Sequence, residues 1–101
     1  MTDQAPAASA HYVIVHAPGP QWNPALGFRE QPGVQAHVGY YGSLRERGLL
    51  DSGGPFLDDS GGMMIVLAPS LAAAIALAEA DPAIQAGLLS FTIKPWIKVF
   101  V

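Results

Sequence analysis

Apolar and polar positions follow two different periods along the chain, and these periods predict its secondary structure. A β-branched run over 11–16, ended by a Pro-Gly-Pro turn, predicts a first strand. From Val34 to Gly48, apolar residues recur every three or four positions, which predicts a helix with one buried face. Arg45 and Arg47 in the last turn, followed by Gly48, are typical of a helix C-terminus.

The second half of the chain predicts a hairpin, a helix and a strand. Two extended segments, 49–57 and 63–68, flank a turn rich in Asp, Ser and Gly, as in a β-hairpin. Ser70 is a typical N-cap for a second helix. From Leu89 to the C-terminus, apolar residues recur mainly at every second position, which predicts the last strand, with Pro95 marking a bulge or an edge.

The predicted order β, α, β, β, α, β is the split pattern of ferredoxin-like α+β folds. Such a fold places helices on one face of an antiparallel sheet and leaves the other face open. The strand 63–68 has no polar face, so both of its sides must be covered. We therefore expect a homodimer in which two sheets pair into an α/β barrel.

Composition fits a single small domain. The chain has 101 residues, of which half are hydrophobic, and we expect residues 11–101 to form the domain behind a flexible Ala-rich tail over 1–10. Only 13% of the residues are charged, against about 25% in an average soluble protein. This low charge agrees with some surface being buried against a second subunit.

Charge and cysteine content exclude several classes of partner and site. The net charge of −3 and five scattered basic residues argue against nucleic acid as a partner. The apolar stretch 63–80 is broken by Pro69, which argues against a membrane span. The chain has no cysteine, which excludes thiolate chemistry and is compatible with the cytoplasmic location that we expect. His11 and His16 lie five apart on one strand and so face opposite sides, and we expect neither a metal nor another cofactor.

His37 is the candidate catalytic residue, because it is titratable and lies within the apolar stripe of the first helix. A core histidine satisfied by one hydrogen bond is the structural alternative. Asp81 precedes Pro82 and is typical of a helix N-cap. In a split fold, however, the helices lie side by side, so Asp81 can approach His37. A carboxylate on one imidazole nitrogen raises the basicity of the other, and the pair is therefore a candidate proton shuttle.

Three further residues are candidates for substrate binding. Arg29 is suited to a substrate carboxylate, although a loop arginine is commonly only solvated. Gly54 belongs to a Ser-Gly-Gly-Pro segment that offers backbone N–H groups to an anion or forms a turn or bulge. Trp96, like Trp22, is suited to the wall of a pocket or to apolar packing.

Several of these motifs occur in a fixed order over nearly the whole chain after the tail: Pro18-Gly19-Pro20-x-Trp22, Arg29-x-Gln31, His37, Gly53-Gly54-Pro55, Asp81-Pro82, Gly87 and Lys94-Pro95-Trp96. The series resembles the YciI-like (YCII-related) proteins. The resemblance implies a ferredoxin-like subunit that dimerises as an α/β barrel, and a His and Asp pair that falls on His37 and Asp81. Related dimeric barrels include muconolactone isomerases and ring dehydrochlorinases, which move protons on oxygenated aromatic or lactone substrates.

Two functions of different class follow. The first is a small enzyme of lyase or isomerase type, in which His37 moves a proton and Asp81 orients it on an aromatic or carbonyl substrate. The second is a noncatalytic dimeric module that binds a small ligand or a partner protein, with the same pair retained for structure.

Overall fold

A computed structural model describes residues 9–101. Its antiparallel sheet has the order β2-β3-β1-β4 and is formed by β1 (Ala10–Pro18), β2 (Leu50–Pro55), β3 (Gly62–Ala68) and β4 (Leu89–Trp96). Three helices pack on one face of it: α1 (Val34–Glu46), α2 (Leu71–Glu79) and the single turn α3 (Pro82–Gln85). The ferredoxin-like α+β prediction is confirmed.

The predicted bounds of the last strand and of the N-terminal tail differ from those in the structure. The last strand ends at Trp96, so the prediction that it continues to the C-terminus is wrong. After Trp96 the chain leaves the sheet, and the Lys98 ammonium lies 2.9 Å from a carboxylate oxygen of Asp51 on β2. The predicted tail over 1–10 falls mostly outside the described residues, and Ala10 is the first residue of β1.

The core lies between the sheet and the helices. Its buried side chains come from β1, β3, α1 and α2, namely Tyr12, Ile14, Tyr41, Leu44, Val66, Ala68, Ala74 and Ala78. Helical spacing in the sequence also predicts Val38 and Leu71 as core residues. This prediction is wrong, because Val38 is 57% exposed and Leu71 is 43% exposed. Alanines four apart allow α2 to lie close to the sheet along a narrow stripe, and Leu71 at its first position projects beyond that stripe.

Glycines have different roles in α1 and in β2. The helical stretch 34–48 contains Gly39 and Gly42, for which the sequence suggests close packing of α1 on the sheet. A Cβ at either position would meet no other atom within 4 Å, so this explanation is wrong. A Cβ at Gly53 would instead lie 2.9 Å from the Met63 carbonyl oxygen and collide with the Met64 sulfur. The pairing of β2 with β3 shifts register between Leu50 and Ser52, so the bulge lies at Asp51, directly before the Ser-Gly-Gly-Pro segment.

The long loop between β1 and α1 is confirmed and includes a 3₁₀ turn at Phe28–Glu30. Buried Gln31 holds it closed: its amide nitrogen donates to the carbonyls of Asn23 (2.7 Å) and Leu26 (2.9 Å), and its amide oxygen accepts from the Asn23 N–H (3.0 Å). The loop therefore presents its 3₁₀ turn in a fixed position. Within residues 9–101, no helix has the length and apolar character needed to cross a bilayer.

Candidate active site

His37 and Asp81 are in direct contact. The Nδ1 atom of His37 lies 2.7 Å from Oδ2 of Asp81, and the two side chains are 3% and 0% exposed. An ionised carboxylate only accepts hydrogen bonds, so Nδ1 carries the proton and donates it toward Oδ2. The second imidazole nitrogen, Nε2, is then left as an acceptor in a residue that lines a cavity.

Asp81 caps a helix in addition to contacting His37. Its Oδ1 atom accepts a hydrogen bond of 2.9 Å from the Ala83 N–H, which caps α3 as the sequence predicted. Pro82 occupies the first helical position, and Gly87 ends the segment at a φ of 78°. The hydrogen bond to Oδ1 fixes the carboxylate so that Oδ2 points at His37. The same carboxylate therefore caps α3 and pairs with His37.

His16 is a third member of this cluster, and the sequence did not indicate that it would lie beside His37 and Asp81. It is 1% exposed, its Nε2 lies 3.7 Å from Oδ2 of Asp81, and its ring centroid lies 5.0 Å from that of His37. Within residues 9–101, neither of its nitrogens has a hydrogen-bond partner. Burial and the neighbouring His37 lower the pKa of His16 to about 4, so its imidazole is neutral at physiological pH.

Tyr41 closes the cluster from α1, one turn after His37. Its ring centroid lies 5.3 Å from that of His37 and 5.7 Å from that of His16. Its hydroxyl is buried and has no hydrogen-bond partner in the described part of the chain. Burial and the Asp81 carboxylate raise the pKa of Tyr41, so its hydroxyl remains protonated at neutral pH.

The cluster forms one wall of a cavity of about 360 Å³ between α1, the 3₁₀ turn, β2 and β3. Arg29 and Gly54 both line this cavity, as their predicted substrate-binding roles require. Trp96 does not line it: its ring packs edge-on against His11, with centroids 5.8 Å apart, on the opposite face of β1 from His16. Alternation along the strands turns Trp96 away from the helices, so the structure does not bring it together with the other candidate residues.

The cluster contains three side chains of the types that bind metal ions. His16, His37 and Asp81 offer ligand atoms within 4.8 Å of one another, which is a set that suits a divalent transition metal. Ligand atoms bound at about 2.0–2.1 Å in a tetrahedral site lie more than about 3 Å apart. The 2.7 Å separation of His37 Nδ1 and Asp81 Oδ2 is instead that of a charge-assisted hydrogen bond. The described geometry therefore fits proton transfer better than metal binding.

One sequence signal for His16 was available. Tyr12, Ile14 and His16 alternate on β1, so His16 shares the buried face of an apolar strand. The apolar stripe of α1 indicates one titratable residue facing the core, His37, but His16 and Asp81 are buried as well. Arg45 also lines the cavity, although the sequence indicated only a favourable charge at the end of α1.

Comparison with known proteins agrees with the fold. The chain is 35% identical to the uncharacterised protein YjpA of Bacillus subtilis strain 168 over 66 residues, which cover 65% of this chain and 78% of that protein. The structure of the present chain is similar to that of 5-chloro-2-hydroxyhydroquinone dehydrochlorinase (TftG) from Burkholderia phenoliruptrix AC1100. That enzyme was solved in complex with 2,5-dihydroxybenzoquinone. The TM-score is 0.67 and the identity 26%, over 85% of this chain and 92% of that one.

The family comparison covers most of the chain. Residues 10–97 match the YCII-related domain, and this stretch contains β1 through β4 with both members of the His37–Asp81 pair. The protein therefore belongs to the YCII-related family.

Proposed function

We propose that this protein is a small enzyme of lyase or isomerase type, in which His37 moves a proton on an oxygenated, ring-sized substrate. The observation that carries the proposal is the 2.7 Å contact between His37 Nδ1 and Asp81 Oδ2 at the wall of a cavity. The structural similarity to a dehydrochlorinase, a lyase-type enzyme, supports the reaction class.

The chemistry follows from the direction of the hydrogen bond. With its proton on Nδ1, neutral His37 presents a lone pair on Nε2, which accepts a proton from a substrate carbon or hydroxyl. The ring then carries a positive charge, and the buried Asp81 carboxylate stabilises it. In an isomerase the same nitrogen returns the proton to another substrate atom. In a lyase the electron pair left on the substrate forms a double bond, and a leaving group departs.

Asp81 acts as the positioning residue of this pair. Its carboxylate is itself fixed by the Ala83 N–H, so the imidazole is held in one tautomer and one orientation. A rigidly held base is what general base catalysis requires, because proton transfer depends on the distance and angle between donor and acceptor.

The proposal is tested with chloride release from 5-chloro-2-hydroxyhydroquinone, and with deuterium exchange into hydroxylated quinones and unsaturated lactones in D₂O. We expect turnover or exchange by the wild type and a loss of about 10²–10⁴-fold in His37→Asn, the usual contribution of a general base. Asp81→Asn should lower kcat while leaving KM nearly unchanged.

Arg47→Gln is the control, because Arg47 is exposed at the end of the helix that carries His37 and does not line the cavity. It should retain wild-type turnover. Full activity in His37→Asn would contradict the proposal. A wild type that binds these compounds but neither converts nor exchanges any of them would favour the noncatalytic binding module.

We also propose that the working form is a homodimer. The sheet face opposite the helices carries half-buried apolar side chains from β1 and β3, namely Val13, Val15, Met63 and Leu67. Exposed apolar residues continue after β4, namely Ile97, Val99, Phe100 and Val101. Sedimentation at micromolar concentration should give twice the 10.6 kDa mass of one chain. Val15→Glu should shift it to a monomer, whereas Ala76→Glu on exposed α2 should not.

A further inference from the structure

The cavity beside His37 has a cationic opening. Arg29 on the 3₁₀ turn and Arg45 near the end of α1 both line it, and both are solvent-exposed. Within residues 9–101, neither arginine lies within 4 Å of a carboxylate. The cavity lining includes no aspartate or glutamate. Two unpaired guanidinium groups around an otherwise apolar cavity produce a potential that attracts an anion.

The wall of the cavity includes two residues with buried polar atoms that lack hydrogen-bond partners within residues 9–101. These are both nitrogens of His16 and the hydroxyl of Tyr41. A buried polar atom without a hydrogen bond destabilises the folded protein, so a ligand that supplies the missing partner gains binding free energy. The neutral imidazole of His16 offers one donor and one acceptor, and the protonated Tyr41 offers a donor.

The rest of the lining is apolar and suits a flat ring. Phe28, Val34 and Val38 lie on the helical side, and Met64 lies on the strand side. Gly54 adds no side chain, and a Cβ there would meet nothing within 4 Å. A volume of about 360 Å³ lies at the lower end of the range for small-molecule sites. These features together select an occupant with a small apolar body and oxygens at its edges.

We propose that the ligand of this site is an ionised, oxygen-substituted single ring, such as a hydroxyquinone or a phenolic acid. Its negative oxygen lies between Arg29 and Arg45. The Tyr41 hydroxyl is buried in the unliganded protein, so a second oxygen on the far edge accepts from it after the Tyr41 side chain turns toward the cavity. This inference rests on the proposed function, whose substrate class it narrows. It places the ring against Nε2 of His37, so that the arginines hold the substrate and His37 acts on it.

Binding is tested by isothermal titration calorimetry with two compounds of matched shape at pH 7.5. These are 2,5-dihydroxybenzoquinone, which is ionised at this pH, and 2,5-dimethoxybenzoquinone, which is neutral. We expect the hydroxyquinone to bind at least about 10-fold more tightly, a difference of about 1.4 kcal/mol. Its affinity should fall as salt is raised, because the arginines are exposed and their charges are screened.

Arg45→Gln and Arg47→Gln form a matched pair. Both arginines lie near the end of α1 and are exposed, but only Arg45 lines the cavity. We expect Arg45→Gln to weaken hydroxyquinone binding about 5- to 10-fold, while Arg47→Gln leaves it unchanged. Tyr41→Phe removes a single oxygen and should weaken binding by a similar factor without lowering the melting temperature, because the hydroxyl has no partner in the unliganded protein.

Equal affinity for the two quinones, or no binding of the hydroxyquinone at millimolar concentration, would overturn the proposal. Unchanged affinity in both Arg45→Gln and Tyr41→Phe would do the same. Calorimetry measures ligand binding separately from turnover. His37→Asn should therefore still bind the hydroxyquinone even though it has lost its base. Binding with the expected pattern but without proton exchange in the wild type would support this ligand class and contradict the proposed enzyme function.

Discussion

The helix-covered face of the sheet has two ends that share the same elements and differ in chemistry. At one end, Ile14 of β1 and Leu44 of α1 belong to an apolar cluster. At the other end, the same strand and helix contribute His16 and His37, which meet Asp81. All five side chains are at most 3% exposed, so burial does not distinguish the two ends.

What distinguishes them is whether the buried groups stabilise the fold. The apolar end gains free energy from every methylene it removes from water. The polar end buries a carboxylate that must be matched by hydrogen bonds, and three atoms that have no hydrogen-bond partner in the described part of the chain. Natural proteins break packing rules mainly where a site requires it. The comparison therefore assigns stability to one end and chemistry to the other, and variants at each end should separate the two.

The largest expected effect is at the apolar end. Leu44→Ala should lower the free energy of unfolding by about 2–5 kcal/mol, because Leu44 is fully buried and its truncation leaves a cavity. Urea denaturation measures this loss. Hydroxyquinone affinity, measured where the variant is folded, should stay near the wild-type value. A large loss of affinity in the folded variant would show that the two ends are not separate.

The next effect is a pH dependence at the polar end. His16 has a pKa of about 4 in the folded state and about 6.5 when unfolded, so the unfolded chain binds more protons between these values. Stability attributable to His16 is therefore complete above pH 6.5 and is lost as the pH falls toward 4, by about 3 kcal/mol in all. The groups that face His16 are His37 and Tyr41 from α1, and Asp81 before α3.

His16→Leu should remove this contribution. Urea denaturation at several pH values between 4 and 7 should give a flatter stability profile for His16→Leu than for the wild type. His11→Leu, on the opposite face of β1, should leave the profile unchanged. Parallel profiles for His16→Leu and the wild type would mean that His16 is not the group responsible.

A smaller effect measures the coupling within the polar end. A double-mutant cycle of His37→Ala and Asp81→Asn, monitored by urea denaturation, should give an interaction energy of about 0.5–3 kcal/mol. Asn is the suitable replacement, because its amide oxygen can still accept from the Ala83 N–H and preserve the cap. Additive effects would contradict a buried, hydrogen-bonded pair.

The smallest effect returns to the apolar end. Ser70 caps α2 by accepting a 3.1 Å hydrogen bond from the Ala73 N–H. Ser70→Ala should cost about 1 kcal/mol in thermal or urea unfolding, the usual value of an N-cap, and should not change ligand affinity. If Ser70→Ala lowered the free energy of ligand binding by more than it lowers the free energy of unfolding, α2 would belong to the ligand site.

By itself, the sequence determined the order of the elements and the local signals at their ends. The caps at Ser70 and Asp81, the turn at Gly87 and the bulge near Gly53 depend on nearest neighbours, and for that reason they could be predicted. His37 and Asp81 could be proposed as a pair because the topology of a split βαβ fold brings their elements together.

Only the tertiary structure decided which other side chains join the site. His16, Tyr41 and Arg45 come together beside a cavity, whereas Trp96 packs on the other face of the sheet. Periodicity along the chain indicates which face of an element is buried, but it does not indicate where along that face two elements meet. That meeting point is fixed by strand register and helix packing, which depend on contacts between residues far apart in sequence.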